Sequence, residues 1–449
     1  MEISSSCPEI VAMFEWARDR ALRWAHPGGS RGPLNVDERQ PSGTGEGVYL
    51  PSYWAGYAHR SGFYSRDFAH QFAGAHLLGL AEANLTMLRR FAASATPEHG
   101  YYPVWAFNFD GSYLAIDYRG PDDFVREVPA VFELVERAEL GHRWTGDPAY
   151  VDDPVLRDFY RHATGEFVTR HGAGGPVARG TGGGIFQGVA SYNELSGEPL
   201  AEAGDGIAAQ YQAYLAMAAL SRAGGADGAA FERRAAELKR YFNETWSGRG
   251  TGAEMVRAYT VDGRAMTGWG RENSWFMPLK GIVDDGPRND DYLDFVDAQA
   301  SGPGRPENVE ALTYLPDTFF RHGRGGTAWK WMREIFAVRD RPHVAGGLNG
   351  DYPEVPFTLV GQVVEGLLGV RPDAPDGAVS TRSHLPEGID RLEVSGIPLG
   401  DGHLAVRHDR HASTLTNLSS HVSYRWTAHL PGGRTRVQHV PPGRTVTAS

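Results

Sequence analysis

Between about residues 8 and 370, apolar residues recur at spacings of three and four, in segments separated by loops rich in Gly, Pro and Asp. That period belongs to one face of an α-helix. It is best developed over 10–24, 68–92, 125–140, 207–223 and 231–246, and is weaker over 275–282, 292–300, 326–337 and 357–368. The helices come in pairs separated by long decorated loops, the pattern that a closed toroid of helical hairpins produces, each hairpin burying its apolar face against its neighbours. No repeat of fixed sequence period is present, and none is required, because only amphipathicity has to recur. The loops at 101–123, 182–194, 260–275 and 346–356 concentrate aromatics and carboxylates, as expected of a plain scaffold that carries a site.

After Val370 the texture changes. The run Arg371-Pro-Asp-Ala-Pro-Asp-Gly377 reads as a linker of structure breakers, assigned to 371–378. Beyond it, short segments at 389–394, 403–408, 413–418, 423–430 and 435–440, some alternating with period two, predict a β-sandwich-like module over 379–449. A module that small is expected to pack on the helical body, 1–370. The expected fold class is therefore mainly α, with a small C-terminal β-rich module.

With 11 Trp, 19 Tyr and 20 Phe against a net charge of −11, the chain offers flat faces for CH-rich rings and repels polyanions. A small-molecule carbohydrate fits this balance, and nucleic acid does not. The single cysteine, Cys7, excludes an internal disulfide framework. Residues 1–22 lack the basic region and apolar core of a secretory signal, and no apolar run approaches the about 18 residues of a membrane span. A cytoplasmic protein without a membrane partner is expected; oligomeric state is left open.

Five stretches carry candidate chemistry. In Phe63-Tyr-Ser-Arg-Asp-Phe-Ala-His-Gln71, Asp67 reads either as a helix cap or, with Arg66, as a charged pair for adjacent sugar hydroxyls, walled by Tyr64, His70 and Trp54. Tyr101–Tyr113 holds six aromatics, among them Trp105; Asp110, Asp117 and Glu127 in or after it are costly to bury without a purpose and read as binders or orienters. Gly182-Gly-Gly-Ile-Phe-Gln-Gly-Val-Ala-Ser-Tyr-Asn-Glu194 lacks the Lys-Ser/Thr of a phosphate cradle, so it reads as a loop delivering Gln187, Tyr192 and Glu194 to a cleft. Among Phe186 and Tyr192, Glu194 would have the apolar surroundings of a general acid. Gly268-Trp-Gly-Arg-Glu-Asn-Ser-Trp275 sets Glu272 between Trp269 and Trp275 at a helix start, favouring ligand contact. Gly346-Gly-Leu-Asn-Gly-Asp-Tyr-Pro-Glu354 is a sharp turn presenting Asp351 and Glu354, either of which is a candidate base.

Other chemistries lack their signatures. There is no His-Glu-x-x-His, and His70 and His76 lie on different helix faces, so no metal is expected. Gly-x-Ser-x-Gly is absent, and no cofactor is called for. Paired carboxylates in an aromatic cleft remain.

The order of these motifs resembles the six-hairpin (α/α)6-barrel glycoside hydrolases, in particular the clan of trehalase, processing α-glucosidase I and mannosylglycerate hydrolase. Arg66-Asp67 with Gly100-Tyr-Tyr-Pro103, Glu127-Val-Pro-Ala130, and Asp351-Tyr-Pro-Glu354 before the last apolar helix carry the likeness. The β-rich end, with Gly396-Ile-Pro-Leu-Gly400, Trp426-Thr-Ala-His-Leu-Pro431 and Pro441-Pro-Gly-Arg-Thr445, is similar to the C-terminal module of α-L-rhamnosidases. The chain departs at the acid, where Ala190-Ser-Tyr-Asn-Glu194 stands in place of a Glu-Ser-Gly-Trp/Met-Asp motif. The resemblance implies an inverting glycosidase acting on a small glycoside or a non-reducing end, its two carboxyl groups about 6.5–9.5 Å apart. Two other readings keep the pocket. One is an (α/α)-barrel epimerase, isomerase or lyase using His70, His322 or His343, and the other is a carbohydrate-binding protein without turnover.

Overall fold

The computed structural model describes residues 1–193, 197–342 and 351–449. Six helices succeed one another by packing. Ser65–Leu77 lies on Val128–Thr145, which lies on Gly204–Ala223, which lies on Glu272–Lys280. Glu272–Lys280 packs on Tyr314–Arg321, whose neighbour is the π-helical turn Gln362–Leu367; this continues Glu354–Gly361, which packs on Ser65–Leu77. Their sequences explain the placement. Glu354–Gly361 is buried at every residue, as a helix enclosed on all sides must be.

Other helices flank these six. Pro8–Leu22 packs on Glu354–Gly361, Ala81–Ser94 on Ser65–Leu77, Ala229–Tyr241 on Gly204–Ala223, Pro287–Ser301 on Glu272–Lys280, and Gly325–Phe336 on Tyr314–Arg321. Ala229–Tyr241 buries only Ala235 and Leu238, the one-sided pattern of a helix facing water. Ser65–Leu77 and Glu354–Gly361 approach so closely at Gly74 that a Cβ there would collide with the carbonyl of Phe357.

The single helix expected over 68–92 is two. Gly79, at φ +84°, takes the left-handed conformation that glycine adopts without strain and turns the chain between Ser65–Leu77 and Ala81–Ser94. The pair Pro154–Arg161 and Phe167–His171 had no counterpart in the periodic reading. Many of the decorated loops carry two- to four-residue strands, such as Gly62–Tyr64 paired with Ala106–Asn108.

The C-terminal region forms two sheets. One has the order Glu2–Ser5, Arg391–Leu399, Gly402–Asp409, Ser413–Asn417, Thr445–Ala448, antiparallel throughout. The other has Arg371–Asp373, Ala378–Arg382, Tyr424–His429 and Thr435–Val440, with one parallel pairing between Ala378–Arg382 and Tyr424–His429. Two boundaries are thereby corrected. The stretch 371–378 is no free linker, since Arg371–Asp373 is a strand paired with Ala378–Arg382 and Ala374 N–H donates to Arg143 O at 2.8 Å. Nor is the sheet built from residues after 378 alone, because Glu2 pairs with Ser395 and Ser5 with Leu392. Among the described residues no helix is long and apolar enough to cross a membrane.

Candidate active site

Each of the six successive helices brings a carboxylate at its start. Asp67 lies in the first turn of Ser65–Leu77, Glu127 immediately before Val128–Thr145, and Asp205 in the first turn of Gly204–Ala223. Glu272 opens Glu272–Lys280, Glu310 lies in the short turn Val309–Leu312 that leads to Tyr314–Arg321, and Glu354 opens Glu354–Gly361. All six are buried. A helix start offers unsatisfied N–H groups and the positive end of its dipole, which is where a buried carboxylate costs least.

Arg66 stands among them. Its guanidinium lies 3.8 Å from Glu127 and 3.7 Å from Glu310, donates to the Tyr192 carbonyl at 3.1 Å, and sits 5.4 Å from the Tyr192 ring centroid. Trp105 Nε1–H donates to Glu127 Oε2 at 2.6 Å and meets Tyr64 edge-on at 4.8 Å. Tyr64 O–H donates to Asp117 at 3.1 Å and accepts from Arg60 at 3.0 Å. Tyr352 O–H donates to Asp67 at 3.1 Å, and Tyr192 O–H to Glu133 at 2.7 Å. The aromatics are thus fixed by their polar ends.

Electrostatics divides the carboxylates by role. Burial, reinforced by the charge of Glu310, pushes Glu272 up to about 8, and its Oε2 has no hydrogen-bond partner among the described residues. Glu354 is pushed well above the usual carboxylate range, by burial first and then by Glu310 and Asp67. Asp67 is raised by burial despite Arg66. Asp205, pushed up to about 6 by burial, accepts from Ser191 Oγ at 2.8 Å and Tyr192 N–H at 2.6 Å, so it holds the 191–193 loop.

His70 ties this cluster to a second carboxylate. Its ring stacks on Tyr314 at 3.8 Å, with Nδ1 2.5 Å from Glu354 Oε1 and Nε2 2.9 Å from Asp317 Oδ2. A neutral imidazole has one N–H, so two flanking acceptors require a further proton on the ring or on a carboxyl. Glu354, whose carboxyl burial holds above the usual range, is one source of that proton.

The structure brings together Tyr64, Arg66, Asp67, His70, Trp105, Asp117, Glu127, Tyr192, Glu272 and Glu354 from the sequence reading. It separates others. Asp351, named there as a candidate base, pairs with Arg20 of the flanking Pro8–Leu22 helix. Asp110 accepts from Ser112 N–H at 2.9 Å and Oγ at 2.6 Å, closing its own turn. Gln187 is exposed. Trp269 donates to Gly304 O at 2.7 Å and packs on the wholly buried Trp275, so both belong to packing behind the Glu272 helix. Trp54 donates to Arg60 O and packs on Trp24 and Phe109. His322 is held by Pro278 O and Asn289, away from the cluster. Glu194 and His343 lie outside the described residues; Asn193, just before Glu194, donates to Gly270 O at 3.0 Å, beside the start of the Glu272 helix. Asp205, Glu310, Asp317, Tyr314 and Tyr352 are additions. Asn308, whose side chain accepts from Glu310 N–H at 3.2 Å, is the local signal of the helix start that carries Glu310.

No protein-family model matches the chain and no curated protein matches it in sequence. Solved structures do match in fold. A GH78 family rhamnosidase of Bacillus sp. GL1 superposes with a TM-score of 0.67 at 13% identity, covering 96% of this chain and 43% of that one. The α-L-rhamnosidase of Streptomyces avermitilis, complexed with L-rhamnose, gives 0.60 at 12% identity, over 100% and 42%. A putative kojibiose phosphorylase from the human microbiome gives 0.53 at 9%, over 99% and 62%. The chain thus has the fold of these carbohydrate-active proteins while spanning less than half the length of the rhamnosidases.

Proposed function

We propose that the chain is a glycoside hydrolase of the (α/α)6-barrel type, acting on a small glycoside or the non-reducing end of an oligosaccharide. The observation that carries the reading is the convergence of six helix-start carboxylates and Arg66 between fixed aromatic faces. Six helices packed in succession, the last returning to the first, support the barrel, and the likeness to rhamnosidases and a phosphorylase supports sugar chemistry.

In this reading Glu272 protonates the leaving oxygen. A carboxyl held up to about 8 keeps its proton at neutral pH and gives it where charge develops. Glu354 in its ionised form takes the proton of the attacking water, and His70, held between Glu354 and Asp317, orients the carboxylate. Arg66 and Asp67 bind adjacent hydroxyls, with Trp105, Tyr64 and Tyr192 as walls. An inverting course, which must fit a water between the two carboxyls, is part of this reading. Glu194, the acid of the motif order, remains the competing donor.

NMR-monitored turnover of α- and β-linked rhamnosides, glucosides, mannosides and arabinosides tests this. The expected result is release of the opposite anomer by the wild type. Glu272→Gln should lose poor leaving groups and retain activated aryl ones, as loss of a proton donor requires. Equal loss in Glu194→Gln with Glu272→Gln unaffected would move the acid to Glu194. Of the described histidines considered, His70 is in the cluster and His322 is not, so interconversion of free sugars without glycoside turnover would favour an epimerase.

A further inference from the structure

The far end of the same helices holds an unusual concentration of cations. Tyr314 stacks on His70 at the start of Tyr314–Arg321, and Arg321 closes that helix, about 10 Å further on at 1.5 Å per residue. There a cavity of about 410 Å³ opens between the helices and the β-sheets, lined by Arg321, Arg371, Arg382, Lys239, His384 and His429 among others. Among the described lining residues the one carboxylate is Asp285, whose side chain is 93% exposed. In a chain of net charge −11, such a lining is not background.

Lys239 pairs with Asp284 at 3.6 Å, whereas Arg321, Arg371 and Arg382 make no ion pair with a carboxylate among the described residues. Arg321 makes no hydrogen bond or ion pair among the described residues, and the nearby Glu136 is engaged by Lys280 and Arg137 at 2.6 Å each. Arg371 donates to the carbonyls of Glu365 and Val370 at 2.6 and 2.9 Å. Burial lowers both guanidinium groups; Glu136 offsets part of this for Arg321 and Glu365 for Arg371, which Arg143 and Arg321 lower further. Burial pushes His384 down to about 4, and Arg371 and Arg382 add to this. The negative end of a helix accounts for Arg321, but not for Arg371, Arg382 and Lys239 converging on the same space. The three arginines keep access to solvent through the cavity, and like charges gathered on one concave surface repel each other unless an anion completes them.

We propose that this cavity binds a phosphomonoester group, as inorganic phosphate or as the phosphate of a sugar phosphate. Paired guanidinium forks match phosphate oxygens in geometry as well as charge. The volume falls within the about 300–1,000 Å³ of pockets that take small molecules.

Calorimetric titration of the full chain at low ionic strength with inorganic phosphate and glucose 6-phosphate, with sodium chloride as control, tests the proposal. Saturable binding is expected with either probe, weakened about tenfold or more by Arg321→Gln and unchanged by Arg66→Gln; the tighter probe identifies the source of the phosphate. Arg321→Lys, which keeps charge and loses the fork, should fall between. Arg382→Gln, at an exposed strand position, serves if Arg321→Gln melts abnormally. Absence of saturable heat, equal binding by the Arg321 and Arg382 variants, or loss in Arg66→Gln alone would overturn it.

Discussion

Glu272 keeps a proton where an ordinary glutamate would have lost it, and this has consequences for both rate and stability. Its folded value, about 8, lies above the ordinary 4.5, so the fold favours the protonated form. That preference costs nothing below about pH 4.5, and stability is lost as pH rises through about 8. Glu272→Gln, neutral at every pH, should therefore melt higher than the wild type above pH 8, by an amount on the order of a few kcal/mol, while losing turnover of unactivated glycosides. Thermal melts at several pH values check the sign; a variant destabilised at alkaline pH would contradict it. The same proton predicts that kcat falls as pH rises through about 8. The raised Glu354 moves the acidic limb of the pH–rate profile above the usual carboxylate range. Asp67, Glu127, Glu272 and Glu354 were legible because each sits in an aromatic or glycine-rich motif. Glu310 and Asp317 were not, since an acidic residue in a short polar turn or on a helix surface looks the same whether or not the fold turns it inward.

At the scale of elements, the nine periodic stretches fall on ten α-helices among the described residues, and the pattern failed where tertiary contact decides. The 68–92 run is continuous in apolar spacing, yet Gly79 breaks it. The Arg371–Gly377 run has a linker's composition, yet its first residues pair with Ala378–Arg382. Local composition does not contain the partner strand. The close approach at Gly74 was equally invisible, as it depends on Phe357, far away in the chain. Gly74→Ala should force the Ser65–Leu77 and Glu354–Gly361 helices apart and cost about 1–3 kcal/mol, although alanine is the better helix former. Chemical denaturation measures this. A shift of the Asp67 and Glu354 helix starts should lower kcat as well, which substitution at an outer-helix surface position would not do.

For the molecule as a whole, chain order and spatial order part company at the N-terminus. Glu2–Ser5 forms the edge of the five-stranded sheet beside Arg391–Leu399, so removing residues 1–5 should expose the Leu392–Ser395 edge of that strand and promote association; light scattering on heating would show it, and unchanged behaviour would count against the strand's protective role. The central claim is that the machinery is this inner set of helix starts and not the turn that precedes the last of them. The most direct test compares Glu354→Gln with Asp351→Asn, neighbours in sequence that the structure sends to opposite partners, His70 and Arg20. Measured as kcat/KM on a glycoside turned over by the wild type, Glu354→Gln should lose about a thousandfold or more and Asp351→Asn less than about tenfold. The reverse order would contradict the account.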